Sequence, residues 1–280
     1  MAAQAPLARI RAAHPLVHCI SNIVTANDCA NLALAVGASP MMAQAPEEMD
    51  QVAALAGAVV LNTGTPDKAK FAAACRAGAA ANRCGTPVVL DPVGVGASAW
   101  RLEHIGALLK KVRPAIVRVN YGEAAALLGL EPAEHGVDSL AAPQNAAARA
   151  SALAQRLGAV VLLSGVEDLV TDGTVVLRVQ GGNDRMRMVT GAGCMLSVLC
   201  GAFAAAQHDV AAGVVGDVGV MGYEDDGSSF CVQFLEEHQY LEGGAGVEIT
   251  CRLVGQDDCR IVHQGPSDGH TLHLSARHLV

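Results

Sequence analysis

The sequence predicts an α/β fold with a mostly parallel central sheet, and three observations lead there. Short β-branched runs recur along the chain, each stops in small or polar residues, and Ala-rich helix-like segments separate them. That alternation calls for parallel strands joined by crossover helices rather than hairpins. Only 3% of the residues are aromatic although 51% are hydrophobic, a balance that suits small-residue helices packed closely on buried strands.

The strand-like runs are Ala58 to Leu61, Pro87 to Leu90, Ala115 to Val119 and Ala159 to Leu163. They lead respectively into Asn62-Thr63-Gly64-Thr65, Asp91-Pro92-Val93-Gly94, Asn120 and Ser164-Gly165. Helical spacing marks Pro66 to Cys84, Leu102 to Val112 and Ala146 to Leu157. In an open parallel sheet the loops after the carboxyl ends of the strands line the ligand crevice, so the polar run-outs are candidate site residues. Each taken singly is also an ordinary turn residue. No repeat or linker interrupts residues 1 to 223, whereas residues 224 to 280 lose the Ala-rich pattern. The expected division is a domain over 1–250 and a divergent tail over 251–280 of unknown role.

With 19 Lys+Arg against 27 Asp+Glu, the net charge of −8 disfavours nucleic acid as a partner, because a phosphate backbone is repelled on average. No apolar stretch has the length of a membrane span and no signal-peptide core opens the chain, so no membrane partner is expected. The nine cysteines form an odd set without C-x-x-C pairs, which points away from a disulfide framework and toward a reducing cytoplasm.

The sharpest local feature is Val189-Thr190-Gly191-Ala192-Gly193-Cys194-Met195, followed by an apolar, small-residue run through Ala206. A glycine turn at a helix N-terminus gathers backbone amides and the positive end of the dipole, which suits a phosphate or a developing anion. Cys194 falls in the first turn, where the dipole lowers a thiol pKa, or it is a buried small hydrophobe. Asp91 at a strand end would organise the hydration shell of Mg²⁺, or cap a turn. Asn120 and Glu123 would face one metal-bound water cluster, or Glu123 would cap the helix that begins there. Arg118, in an otherwise apolar strand, needs an anionic partner, either a nucleotide phosphate or a structural carboxylate. Asn22 lies just before the polar Thr25 to Asp28 cap, and Met42 is either core filler or a soft wall for a sulfur heterocycle.

Seven segments in order carry a family resemblance: Pro15-Leu-Val-His-Cys-Ile-Ser-Asn22, Thr25-Ala-Asn-Asp28, Gly37-Ala-Ser-Pro-Met-Met42, Asn62-Thr-Gly-Thr65, Asp91-Pro-Val-Gly-Val-Gly96, Arg118 to Glu123 and Val189 to Met195. Together they resemble hydroxyethylthiazole kinase from about residue 7 to residue 223. The resemblance implies a ribokinase-like three-layer α/β/α sandwich with a mostly parallel central sheet, assembled as a homotrimer with active sites at subunit interfaces. It implies phosphorylation of the thiazole alcohol 5-(2-hydroxyethyl)-4-methylthiazole by ATP with Mg²⁺, in thiamine salvage.

By matching position, Asn22, Met42 and Gly64 would touch the thiazole, and Gly191 and Cys194 would approach the hydroxyl and the transferring phosphoryl group. Arg118, Ser164 and Asn120 would hold ATP, while Asp91 and Glu123 would organise the metal. Related sugar kinases carry an aspartate at the Cys194 position, so the thiol would be a poor general base. Val119, Tyr121 and Gly122 depart from the smaller residues usual around Asn120, and the segment after Met221-Gly222-Tyr223-Glu224 departs from the expected helix. The rival readings are a ribokinase-like kinase for another small alcohol, such as hydroxymethylpyrimidine, and a non-catalytic protein that binds the thiazole and nucleotide.

Overall fold

A computed structural model of the chain describes residues 4–130, 145–165, 167–179 and 189–206. The expectations for the tail beyond residue 223, including its division at 251, lie outside the described residues. Eight strands form one sheet: β1 (Leu16–Ile20), β2 (Ser39–Met41), β3 (Ala58–Asn62), β4 (Val88–Asp91), β5 (Ile116–Asn120), β6 (Val160–Ser164), β7 (Asp168–Thr171) and β8 (Val176–Val179). Their order across the sheet is β2-β1-β3-β4-β5-β6-β7-β8. Strands β1 to β6 pair in parallel, and only β7 and β8 join through antiparallel pairings.

The four expected strands are present, β4, β5 and β6 displaced by one residue and β3 extended by one, so that the polar terminus (Asn62, Asp91, Asn120 or Ser164) is itself the last strand residue. The displacement has a packing cause: β3 and β4 are buried on both faces along their whole length, so their final polar residues stay in the ladder and under cover. Strands β2, β7 and β8 carry no comparable signal in the sequence, and two of them lie at the sheet edges, where short partly buried strands show little alternation.

Eight helices complete the described residues: α1 (Gln4–Ala13), α2 (Ala26–Val36), α3 (Met49–Leu55), α4 (Lys68–Cys84), α5 (Ala99–Leu109), α6 (Tyr121–Leu128), α7 (Ala146–Leu157) and α8 (Ala192–Ala206). One buried cluster joins the sheet to α3, α4, α5, α6 and α7, and a second joins the opposite face to α1, α2 and α8. The result is a three-layer α/β/α sandwich, as expected.

Local chemistry explains the helix limits. Asp67 caps α4 by accepting from the Lys70 amide at 2.7 Å, so that helix starts after Pro66 rather than at it. Ser98 caps α5 by accepting from the Arg101 amide at 3.2 Å, which moves the helix to an earlier start and end than the expected Leu102 to Val112.

Helix α8 is apolar all round, and an unbroken run from Cys194 to Ala204 is buried. It packs on β1, β3 and β4 and is flanked by α1 and α2. Fully burying each of its large side chains contributes about 1.5–3 kcal/mol, which fixes the height of its N-terminus above the sheet edge. Leu199→Ala, at a site only 1% exposed, is expected to lower stability by about 2–5 kcal/mol. Urea unfolding followed by circular dichroism measures it, and a change well below that range would mean that α8 is not seated in the core.

Candidate active site

Because β1 to β6 are parallel, their carboxyl ends lie along one edge of the sheet. In spatial order that edge presents Met42 after β2, Asn22 after β1, Gly64 after β3, Asp91 closing β4, Arg118 and Asn120 in β5, and Ser164 closing β6. The N-terminus of α8 stands over its centre, bringing the Gly191 to Cys194 turn to the same place. The crossover from β1 to β3, with β2 outside β1, is what turns chain order into this spatial order.

Alternation along the strands sends Asn62, Asp91 and Arg118 to the α8 face, where Val60, Val89 and Ile116 also point. There they form a buried polar network. Asp91 Oδ2 accepts from Asn62 Nδ2 at 3.0 Å and from Ser197 Oγ at 2.8 Å. Arg118 Nη1 stands 3.7 Å from Asp91 Oδ1, and Nη2 donates to Ser164 Oγ at 2.6 Å. Arg118 therefore meets the structural carboxylate that a guanidinium in an apolar strand requires. Asp91 does not cap a turn; it is the acceptor at the centre of this network. Burial pushes its carboxyl up, Arg118 pulls against that rise, and Glu123 adds to it.

The polar network also explains two glycines. Gly191 has φ 85°, and a Cβ there would lie 2.1 Å from Thr25 Cγ2. A Cβ on Gly193 would lie 2.4 Å from Arg118 Nη1, so only glycine lets the guanidinium reach under the first turn of α8. Cation and helix N-terminus thus converge on one point, a place made for negative charge.

Cys194 follows in that turn, 8% exposed, with Thr25 and Asn62 beside its thiol. The dipole argument has the helix lowering its pKa, and the structure corrects this. Burial dominates and, with Asp91 nearby, raises the thiol above its ordinary value although Thr25, Asn62 and Arg118 pull it down.

Glu123 and Asn120 form a capping box at the start of α6: Glu123 N donates to Asn120 Oδ1 at 2.8 Å and Asn120 N donates to Glu123 Oε2 at 2.9 Å. Glu123 Oε1 also accepts from Gly94 N at 2.9 Å, which ties the loop after β4 to α6. Among the described residues no group of three metal-ligating side chains occurs. What the edge offers a divalent cation is Asp91 Oδ1, which has no hydrogen-bond partner, and the remaining lone pairs of Glu123. Two carboxylates suit Mg²⁺ arriving with phosphates and keeping its waters, not a protein cage.

At the other end, Asn22 Oδ1 accepts from Val24 N at 3.1 Å, and Asn22 Nδ2 lies 2.6 Å from the point where a Cβ on Gly64 would stand. Met42 is partly buried against the α8-side core. Sequence reasoning missed Ser197, Thr25, Lys70 and Arg101 here. Ser197, a hydroxyl in the middle of an apolar helix, was the one signal available; the others look like cap or surface residues until the loops are folded together. Tyr121 lays its ring against Gly165 and donates from its hydroxyl to Glu167 O at 3.3 Å.

An open αβα sandwich with a glycine turn and helix N-terminus over the strand ends suits the binding of a phosphate, and similarity to known kinases gives the phosphotransferase class. A ribokinase-like superfamily protein of Enterococcus faecalis V583 superposes with a TM-score of 0.53 at 14% identity, covering 87% of each chain, which shows the fold alone. Residues 7–240 match the hydroxyethylthiazole kinase family, and the chain belongs to that family. It is 41% identical over 239 residues to the hydroxyethylthiazole kinase of Methanocella arvoryzae, covering 82% of this chain and 90% of the relative. The solved hydroxyethylthiazole kinase protein of Pyrococcus horikoshii OT3 superposes with a TM-score of 0.73 at 32% identity, over 89% of this chain and 91% of that one.

Buried and held protonated, Cys194 should alkylate far more slowly than exposed Cys84 at neutral pH. Its rate should climb only above the ordinary thiol range of about 8.5, as the thiolate begins to form. Mass spectrometry of peptides labelled with iodoacetamide checks this, and a Cys194 that labels first at pH 7 would contradict the burial argument.

Proposed function

We propose that this chain transfers the γ-phosphoryl group of ATP to the hydroxyl of hydroxyethylthiazole, giving ADP, the phosphate ester and a proton. One observation carries the proposal: the residues assigned to the alcohol and those assigned to the nucleotide occupy opposite halves of one sheet edge. Arg118 and the turn before α8 meet between them. Family membership favours the thiazole over another small alcohol and an enzyme over a non-catalytic binder.

In this mechanism Asn22, Met42 and Gly64 hold the thiazole, while Ser164, Asn120 and Arg118 hold ATP. The amides of the turn at Gly191 and the Arg118 guanidinium surround the phosphoryl group in flight. Such transfer passes through a loose transition state, so alignment and neutralisation of charge supply most of the rate. Asp91 and Glu123 would hold Mg²⁺, which would supply further neutralisation of the phosphates. Cys194 is a protonated thiol that positions the alcohol through the Thr25 and Asn62 network rather than accepting its proton. The proton leaves late, to a phosphoryl oxygen.

Arg118→Ala should lower kcat/KM by about 10²–10³-fold, the cost of losing one preorganised donor. Cys194→Ala should stay within about tenfold of the parent, below the roughly 10²–10⁴-fold expected of a general base. A coupled ADP-release assay with the thiazole alcohol measures both, and a parent protein that makes no ester refutes the proposal.

We further place the chain in the cytoplasm as a homotrimer. In support, all six described cysteines are free, and Ile23 and Val24 stand 76% and 61% exposed beside Asn22, an apolar rim suited to another subunit. Sedimentation velocity should give three times the chain mass, and Ile23→Glu should shift it toward monomer while raising KM for the thiazole. A parent protein that sediments as a monomer at assay concentration would refute the assembly.

A further inference from the structure

One buried cation is not used by the mechanism above. Lys70, in the first turn of α4, is 7% exposed, and its Nζ donates to the carbonyl oxygens of Ser21 and Gly64, both at 2.5 Å. Those carbonyls lie in two different loops, one after β1 and one after β3. Ser21 precedes Asn22, and Gly64 packs directly against the Asn22 side chain. A second link joins the same loops at their rim, where Ile23 N donates to Thr65 Oγ1 at 3.1 Å.

This is an unfavourable place for an ammonium group. The first turn of a helix repels positive charge, and removing a cation from water costs free energy. Burial holds the Lys70 pKa down to about 8; Asp67 and Cys194 push it back up and Arg101 pushes it down. Nothing in the packing of α4 asks for a charge there, since an apolar side chain of the same length would fill the volume. What only a multiple donor provides is a bridge between two carbonyls that would otherwise lack partners under cover.

We infer that Lys70 is a positioning residue for the acceptor alcohol: its ammonium clamps the loops after β1 and β3 and so sets the distance between Asn22 and Gly64. The identity of the ligand that these two loops hold rests on the thiazole kinase reading; the clamp itself does not. Arg101 ties the next pair of loops in the same way, its Nη1 donating to Thr63 O at 3.3 Å and to Val93 O at 2.9 Å.

The test uses the full chain with Lys70→Met, which keeps the stem and removes every donor, and Lys70→Gln, which keeps two. Hydrogen exchange read by mass spectrometry should rise about tenfold in residues 20–26 and 62–66 of Lys70→Met, with residues 118–124 unchanged. In steady state, KM for the thiazole alcohol should rise about tenfold or more while KM for ATP stays within about twofold, and Lys70→Gln should recover some of the loss. Unchanged exchange in both loops, an equal rise over 118–124, or an equal rise of both KM values overturns the inference. So does failure of both variants to fold, which would make Lys70 a general stability residue. Exchange needs no turnover, so an inactive parent protein would refute the kinase reading while the exchange pattern still decides the clamp.

Discussion

A guanidinium largely covered within a β-strand, its side chain 14% exposed, is the constraint around which the functional end of this protein is organised. Arg118 cannot leave the sheet without breaking β5, and it cannot remain there unpaired, because an uncompensated buried charge costs several kcal/mol, on the order of the net stability of a domain. Its carboxylate partner, Asp91, is supplied by the neighbouring strand, and Asp91 is in turn held by Asn62 and by Ser197 of α8. Three strands and one helix are thereby locked in register at the sheet edge. The hydrophobic seating of α8 supplies the bulk energy; the polar network sets where its first turn comes to rest.

The same geometry gives the turn its chemistry. Gly193 has no side chain because Arg118 occupies the space, and Gly191 takes a left-handed conformation over Thr25. Amides, dipole and cation then meet beside a thiol that burial keeps protonated. A site built this way favours reactions whose transition state spreads negative charge and needs little proton abstraction. Phosphoryl transfer in a family of kinases fits that description.

Legibility in the sequence followed the range of the interactions. The four central strands and the helices α4, α5 and α7 could be read because alternation, length and turn residues are local signals, with limits shifted by one to three residues where Asp67 and Ser98 capped the helices. The antiparallel pair β7 and β8 escaped because each strand is only four residues long, β7 being buried without alternation and β8 partly exposed. Asn22, Gly64, Asp91, Arg118 and Cys194 stood out by type and motif. Lys70 and Ser197 did not, since a lysine in a first turn and a serine in a helix look ordinary until their partners, Ser21, Gly64 and Asp91, arrive from distant strands.

By itself the sequence determined the α/β class, the glycine turn before an apolar helix and the polar residues at strand ends, because each depends on neighbours within a few positions along the chain. Only the tertiary structure decided that β1 lies inside β2, that Asn22, Met42 and Gly64 take one half of the edge and Asn120 and Ser164 the other, and that the Cys194 thiol is raised rather than lowered. Those outcomes depend on strand order and on exclusion of water, quantities that exist only once the layers have closed.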